Sequence, residues 1–298
     1  MIIPENAQTL SARFVFKQGW MSDLAWSSDG TIFAVATARG PVLYNMQFLN
    51  QPRVLSGGHG EPVRAVAIRD NWLYSGSDNG ALWRWNIETG AGESAFNGHM
   101  AQINTIAIHP TTDLIASGGK DSCVYLWNSD GVQGKLVGHE GEKTFAAFSP
   151  DGNKLATASW DATIRIWDLD SQETVNILRG YSERVNEINF SPDGGQLVSS
   201  GRDGMVHIWD TTSWKLVMSL EGHTDAVDRA VFSPDGKLIA TGARDNLVRI
   251  FDAKTGELAA VLSGHQKPVL ALAFNPAGTI LASCGGEHVG VLWSEDKK

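Results

Sequence analysis

Apolar and polar residues alternate along short stretches of this chain. Isoleucine or valine occupies every second position within residues 163–167, 205–209 and 247–251. A period of two over such short runs, bounded by Gly, Asp and Pro, indicates β-strands. No stretch of useful length has helical periodicity, so the pattern predicts an all-β protein.

The strand pattern repeats seven times. One register is the residue just before a recurring turn, at intervals of 40 or 42 residues: Trp26, Ile68, Ile108, Phe148, Phe190, Phe232 and Phe274. A second register of aromatic residues runs in step: Tyr44, Trp85, Trp127, Trp167, Trp209, Phe251 and Trp293. About four strands fit into one repeat, which is the size of a propeller blade. The chain is therefore predicted to be a single seven-bladed β-propeller.

The blade boundaries follow from these registers. We place the blades at about 17–56, 57–96, 97–136, 137–178, 179–220, 221–262 and 263–294 of the 298 residues. The seventh repeat holds only three strands, whereas residues 10–16 carry apolar positions like those of the outer strand 216–222 in blade 5. We expect residues 10–16 to complete blade 7 and close the ring, because this pairing removes two exposed sheet edges.

One repeat shows a family resemblance most fully. Gly138-His139 is followed by the turn at 149–152, by Thr157 and Asp161, and by Trp167-Asp168. This order resembles a complete WD repeat, and related copies extend from about residue 10 to 294. The resemblance implies the same fold that the periodicity predicts, a WD-repeat propeller.

The resemblance also implies a structural role for the recurring polar residues. In WD repeats a His, a Ser or Thr, an Asp and the Trp form a buried hydrogen-bond network, so we expect no metal site and no catalytic role for these histidines. The network residues are His99, Ser117, Asp121, Trp127, His139, Thr157, Asp161, Trp167, His223, Thr241, Asp245, His265, Ser283 and Trp293, with Glu287 at the Asp place of blade 7.

Several repeats depart from this pattern. In blade 1, Lys17 and Ala38 stand at the His and Asp places, which makes Thr37 the residue before the Asp place. Asn79 takes the Asp place of blade 2, Tyr181 takes the His place of blade 5, and Phe251 replaces the Trp of blade 6. We expect these blades to depend more on apolar packing.

The resemblance further implies a binding surface, the top face, which carries the loop after the His place and the turn before the Asp place. Trp160 beside Arg202 and Arg244 would suit an acidic peptide with an apolar anchor, since Trp and Arg are frequent binding hot spots. The alternative is that the arginines are solvated and Trp160 packs over a neighbouring loop. The candidate partner-binding residues are Trp20, Arg64, Asp78, Asn104, Lys120, Glu142, Trp160, Arg184, Asn186, Arg202, Asp228 and Arg244.

Charge and cysteine content narrow the possible partners. The formal net charge is −9, from 24 Lys and Arg against 33 Asp and Glu, which argues against broad binding to nucleic acid or to membranes. Only Cys123 and Cys284 are present, and no secretory signal or transmembrane stretch is visible. We expect a cytoplasmic protein, monomeric on its own.

No sequence motif of an enzyme emerges. The chain has no Gly-x-Ser-x-Gly elbow, no phosphate-binding loop and no His-Glu-x-x-His segment. We therefore expect no catalytic residue, cofactor or metal, and predict a scaffold or adaptor that binds proteins or peptides. Two alternatives remain: a propeller enzyme or small-ligand binder with a site at the central channel, and a substrate-recognition adaptor of a larger complex such as a ubiquitin ligase.

Overall fold

The chain forms a ring of seven antiparallel four-stranded sheets. A computed structural model describes residues 1–142 and 145–295. Six sheets pair their strands in chain order from the inner to the outer strand, and the seventh ends on an outer strand from the N-terminal segment. The seven predicted blades and the all-β class are thus confirmed.

The closing strand β1 (Leu10–Lys17) precedes the strands of the first three blades in the chain. Blade 1 contains β2 (Met21–Trp26), β3 (Ile32–Thr37), β4 (Gly40–Asn45) and β5 (Arg53–Val54). Blade 2 contains β6 (Val63–Arg69), β7 (Trp72–Ser77), β8 (Ala81–Asn86) and β9 (Gly92–Asn97). Blade 3 contains β10 (Ile103–Ile108), β11 (Ile115–Gly119), β12 (Cys123–Asn128) and β13 (Gly131–Val137).

The remaining blades follow the same plan. Blade 4 contains β14 (Phe145–Phe148), β15 (Lys154–Ala158), β16 (Thr163–Asp168) and β17 (Thr174–Arg179). Blade 5 contains β18 (Val185–Phe190), β19 (Gln196–Gly201), β20 (Val206–Asp210) and β21 (Leu216–Leu220). Blade 6 contains β22 (Val227–Phe232), β23 (Leu238–Ala243), β24 (Leu247–Asp252) and β25 (Leu258–Ser263). Blade 7 contains β26 (Val269–Phe274), β27 (Leu281–Gly285) and β28 (Val289–Glu295).

The ring closes through the predicted pairing of the two ends. Strand β1 lies antiparallel to β28, with Leu10 opposite Glu295 and Lys17 opposite Val289. Phe16 is buried and packs against Phe33 and Tyr44 of blade 1, at ring-centroid distances of 5.5 and 5.0 Å. The closing strand therefore also fastens blade 7 to blade 1.

The core lies between the blades. Buried apolar side chains of the described residues divide into seven clusters, each shared by two neighbouring blades. The inner strands contact one another in ring order, ending with β26 against β2. Each blade therefore depends on both neighbours, as expected for stacked repeats.

The N-terminal residues extend the packing beyond the ring. A 3₁₀-helix spans Ala7–Thr9, and Ile2 is buried in the cluster shared by blades 6 and 7. Ile2 N donates to the carbonyl of Gly278 at 2.6 Å. Among the described residues, no helix has the length and apolar character needed to cross a bilayer.

Candidate partner-binding surface

The predicted polar network is assembled in blade 4. The indole Nε1 of Trp167 donates to Oγ1 of Thr157 at 2.7 Å, and this oxygen lies 2.8 Å from Nε2 of His139. The other ring nitrogen, Nδ1, lies 2.8 Å from the carboxylate of Asp161. An indole only donates and a carboxylate only accepts, so the hydroxyl donates to Nε2 and Nδ1–H donates to Asp161. Four buried polar groups thereby satisfy one another.

The carboxylate end of the network remains ionised. Burial raises the pKa of Asp161, but hydrogen bonds from His139 and Thr163 outweigh it and hold that pKa well below the usual carboxyl range. Its Oδ1 accepts from the backbone N of Thr163, and its Oδ2 from the backbone N of Glu140. The network therefore ties the loop after His139 to the turn at Asp161, and both belong to the top face.

Three other blades assemble related networks. His99, Ser117, Asp121 and Trp127 are linked in the same order in blade 3. His265 contacts both Glu287 and Ser283 in blade 7, where Trp293 donates to the same hydroxyl. In blade 6, His223 links Asp245 and Thr241, and Arg249 donates to Asp245 at 2.7 Å where no indole is present.

The departing blades keep parts of the network. Tyr181 donates its hydroxyl hydrogen to Ser199 in blade 5, and His59 contacts Ser75 in blade 2. Burial lowers the pKa of His59 to about 4, and its Nδ1 has no partner among the described residues. This ring therefore stays neutral at physiological pH.

The alignment of blade 1 at the Asp place was wrong by one residue. The amide of Ala38 donates to the carbonyl of Trp20, as the amide of Asp78 does to Pro62 in blade 2. Arg39, not Ala38, therefore stands at the Asp place. Thr37 belongs to β3, is only 1% exposed, and donates its hydroxyl hydrogen to the carbonyl of Gly40. It cannot point outward as expected.

The same backbone bond recurs around the top face. The residue before the Asp place donates its amide to the third residue after the His place, joining the two top loops of a blade. Besides blades 1 and 2, the bond links Lys120 to Gln102, Trp160 to Glu142, Arg202 to Arg184, Arg244 to Ala226 and Gly286 to Pro268. The predicted top-face residues are thus held by a repeated backbone geometry.

A β-bulge aims a second set of side chains inward. The register between the first two strands shifts at the fifth residue after the His place in six blades. A bulge turns its extra residue out of the ladder and re-aims its side chain. The bulged residues are Ser22, Arg64, Asn104, Asn186, Asp228 and Leu270. The corresponding place in blade 4 is Thr144, which lies outside the described residues.

All six bulged side chains line one cavity at the mouth of the central channel. Its volume is about 110 Å³, and Trp20, Gln102, Phe145, Arg229 and Arg244 complete its wall. All seven blades contribute. Six of the twelve predicted partner-binding residues meet here: Trp20, Arg64, Asn104, Asn186, Asp228 and Arg244. The amide Nδ2 of Asn104 is buried and has no partner among the described residues, so it remains available as a donor.

A buried charge cluster forms the floor of this mouth. Arg229 of blade 6 lies 3.6 Å from a carboxylate oxygen of Asp23 and 3.6 Å from one of Glu187, and donates to the carbonyl of Ser22 at 3.0 Å. The three side chains are only 8%, 23% and 17% exposed, respectively. Burial raises the pKa of Glu187 to about 7 despite the opposing charge of Arg229. The guanidinium also lies over the ring of Phe145, 5.2 Å from its centroid.

Ion pairs hold several of the predicted residues in place. Arg64 pairs with Asp78 through two hydrogen bonds and lies 3.9 Å from the centroid of the Trp20 ring. Arg244 pairs with Asp228 at 3.0 Å. Lys120 and Glu142 are fixed by the backbone bonds already described.

Trp160 has a different neighbour from the one expected. Its ring carries the guanidinium of Arg184, 4.1 Å from the centroid, rather than Arg202 or Arg244. Arg202 instead pairs with Glu183 at 3.1 Å in an exposed position. Burial, followed by the charges of Arg202 and Arg244, lowers the pKa of Arg184. The three arginines are therefore close enough to repel one another.

Sequence reasoning missed the floor of the mouth. Asp23, Glu187 and Arg229 each occupy the sixth position after the His place, where other blades have Ala65, Thr105 or Ala271. Three charged residues in a register that is Ala, Thr or Phe in the other blades were the available signal. Across residues 1–142 and 145–295, no group of three or more His, Cys, Asp or Glu is arranged to hold a metal ion.

Comparison with known proteins agrees with the repeat pattern. Residues 92–128, 131–168, 172–210, 214–252 and 256–294 match the family described as "WD domain, G-beta repeat". A guanine nucleotide-binding protein subunit beta from Nicotiana tabacum is 29% identical over 171 residues, which are 50% of this chain and 45% of that protein.

Two further relatives have different names and lengths. The periodic tryptophan protein 2 homolog of Dictyostelium discoideum is 29% identical over 56% of this chain and 20% of its own length. The ribosome biogenesis protein WDR12 homolog of Chlamydomonas reinhardtii is 31% identical over 43% of this chain and 31% of its own. The chain spans less than half the length of each of these relatives.

Proposed function

The chain belongs to the WD-repeat family, and on that premise we propose that it is a non-catalytic scaffold that binds a protein or peptide through its top face. The convergence of seven blades on one mouth supports this function. Trp20 and Arg64 lie at its rim, and such side chains contribute most strongly to protein interfaces.

The shape of the mouth favours a macromolecular partner over a small ligand. Sites for small molecules usually enclose about 300–1,000 Å³, whereas this cavity holds about 110 Å³. Its floor is occupied by Arg229 and the two carboxylates that it contacts. A partner that lies across the rim and inserts one side chain fits this geometry better than a substrate enclosed in the channel.

The names of the relatives agree with a role inside assemblies. One is a subunit of a guanine nucleotide-binding protein, and another is named for ribosome biogenesis. These names direct the search for a partner toward subunits of larger assemblies.

A pull-down from native lysate, quantified by mass spectrometry, tests the proposal. The top-face variant combines Trp160→Ala with Arg202→Glu. The matched control combines Ile177→Ala with Arg179→Glu on the exposed outer strand of blade 4. Circular dichroism checks that both remain folded. We expect partners of the native protein to be lost from the top-face variant and kept by the control; retention by the top-face variant, or loss from the control alone, would contradict top-face binding.

A further inference from the structure

Three arginines stack on tryptophan rings in the described parts of the chain, and only two of them have a carboxylate partner. Arg64 lies over Trp20 and Arg84 over Trp72, at 3.9 and 5.0 Å from the ring centroids. In each, Nε donates to a carboxylate, that of Asp78 or of Glu93. Two guanidinium groups of this protein therefore combine an aromatic platform with a carboxylate at Nε.

The third stack, Arg184 over Trp160, lacks the carboxylate. Nε of Arg184 is buried and has no acceptor among the described residues. A buried donor without an acceptor carries a desolvation cost that a ligand could relieve. The tryptophan platform is present here, but no carboxylate accepts from Nε.

Blade 5 provides Arg184 with no carboxylate at its bulge or at the residue before its Asp place. Blade 2 has Arg64 at the bulge and Asp78 before the Asp place, whereas blade 6 has the reverse pair, Asp228 and Arg244. Blade 5 has Asn186 at the bulge and Arg202 before the Asp place. Asn186 donates its amide to the carbonyl of Val227 at 2.9 Å and provides no charge.

The local charge indicates which group would accept from Nε of Arg184. Arg202 pairs with Glu183 and Arg244 pairs with Asp228, whereas no carboxylate of the described residues lies within ion-pair distance of Arg184. A carboxylate provides one negative charge and two acceptor oxygens in the geometry of a guanidinium. A phosphate group carries about −1.5 to −2 and would overcompensate.

We propose that Arg184 on its Trp160 platform receives a glutamate or aspartate side chain of an acidic peptide partner. This inference rests on the proposed top-face function and names the chemistry of the partner. The ligand carboxylate accepts from Nε of Arg184, as the carboxylate of Asp78 accepts from Nε of Arg64. Arg202 and Arg244 add long-range attraction, so binding weakens as salt is raised.

Titration of the whole ¹⁵N-labelled protein with short capped peptides tests this assignment. The probe carries one central glutamate, and its analogues carry glutamine or phosphoserine there. The readout is the Nε–H resonance of Arg184, assigned by its disappearance in Arg184→Gln, together with top-face amides. We expect the glutamate peptide to shift this resonance and to bind at least about tenfold more tightly than the glutamine peptide.

Three variants sharpen the test. Arg184→Gln should abolish the preference for glutamate over glutamine. Asp228→Asn removes a competing carboxylate and should strengthen glutamate binding about two- to fivefold, the size of a pairwise charge effect at a solvated site. Arg84→Gln alters the stack already completed by Glu93 and should leave binding unchanged.

The opposing outcomes are equally definite. Equal affinity for the glutamate and glutamine peptides, or a preference that survives in Arg184→Gln, would overturn the site. Phosphoserine binding more than about tenfold tighter than glutamate would overturn the choice of a carboxylate. If lysate partners depend on the top face while Arg184 ignores the carboxylate, this inference fails alone. If no partner depends on that face, the proposed function fails, whatever Arg184 binds.

Discussion

The network in blade 4 allows a quantitative test by comparison with blade 6. The threonine hydroxyl of blade 4 bonds two side chains, whereas the threonine hydroxyl of blade 6 bonds only one. Thr157 Oγ1 accepts from the indole of Trp167 and contacts Nε2 of His139. Thr241 Oγ1 lies 2.7 Å from Nε2 of His223, its one side-chain partner, and donates over a longer 3.4 Å to the carbonyl of Arg249, while Phe251 provides no indole. Replacing each threonine with valine removes the hydroxyl while nearly preserving shape.

The expected costs differ because different numbers of groups lose a partner. A buried donor or acceptor left unsatisfied costs about 1–3 kcal/mol. Thr157→Val leaves two such groups without a partner and should lower the free energy of unfolding by about 2–6 kcal/mol. Thr241→Val leaves one side-chain group, the ring of His223, without a partner and should lower the free energy of unfolding by about 1–3 kcal/mol. Both threonines are fully buried, so water cannot replace the lost hydroxyl without rearrangement.

Urea unfolding followed by circular dichroism measures both costs. A double-mutant cycle with Trp167→Phe separates the indole contribution, since the indole N–H of Trp167 has a partner to lose only while Thr157 is present. We expect a coupling energy of about 1–2 kcal/mol between Thr157→Val and Trp167→Phe. The corresponding cycle of Thr241→Val with Phe251→Leu has no such hydrogen bond and should be close to additive.

Two results would refute this reasoning. One is a cost for Thr241→Val that equals or exceeds that for Thr157→Val. The other is additivity of Thr157→Val and Trp167→Phe, which would mean that the indole hydrogen bond contributes nothing measurable to stability.

Three further predictions concern closure, pH and backbone strain. Deletion of residues 1–16 should lower the melting temperature sharply, because the loss of buried Phe16 alone costs about 3–5 kcal/mol of unfolding free energy; an unchanged melting curve would contradict the closure described here. Burial beside Asp23 and Asp228 raises the pKa of Glu187 from 4.5 to about 7, against the charge of Arg229. The protonated Glu187 side chain therefore makes its full contribution to stability below pH 4.5, and this contribution is lost as the pH rises through 7. Glu187→Gln should therefore raise the melting temperature at pH 8 relative to the native protein but not at pH 4.5, and an equal effect at both would rule out this linkage. Ala162 has a φ of 63°, so Ala162→Gly should stabilise the fold by about 0.5–1 kcal/mol in urea unfolding, and a loss of stability would show that no strain is stored there.

The periodic features of the fold were predictable because each is repeated. Trp167 and its six counterparts fix the third strand of every blade, and a misplaced residue in one copy is corrected by the others. The closing strand was predictable because residues 10–16 share the alternation of a known outer strand. Local pattern and global topology agree in these elements.

The inward-facing residues were harder to predict. Whether Arg64 or Asn186 points into the channel depends on a bulge, and a bulge is a property of strand pairing rather than of one segment. Arg229 crosses to the carbonyl of Ser22 in blade 1, a contact over 207 positions that no local pattern contains. The error at Ala38 arose because Arg39 replaces the usual Asp, although Gly40 marks the place through its positive φ of 118°.

The partner of Trp160 was missed for a related reason. The repeat register predicts which residues lie on neighbouring blades of the propeller. It does not predict which side chain contacts which aromatic ring. Arg184, three residues after Tyr181, reaches Trp160, while Arg202 turns away to Glu183. Side-chain direction decided this contact.

The seam between β1 and β28 has a mechanical consequence. The two strands are antiparallel, and Leu10 faces Glu295 at the end from which both chain termini leave. A pulling force applied through the two termini therefore loads this pair in the unzipping direction, one residue pair after another, instead of shearing all pairs together. Ile2, anchored beside Gly278, resists first. Once it yields, the ring should open at blade 7 under a low force, while the other six blades, whose strands are joined by covalent turns, remain folded.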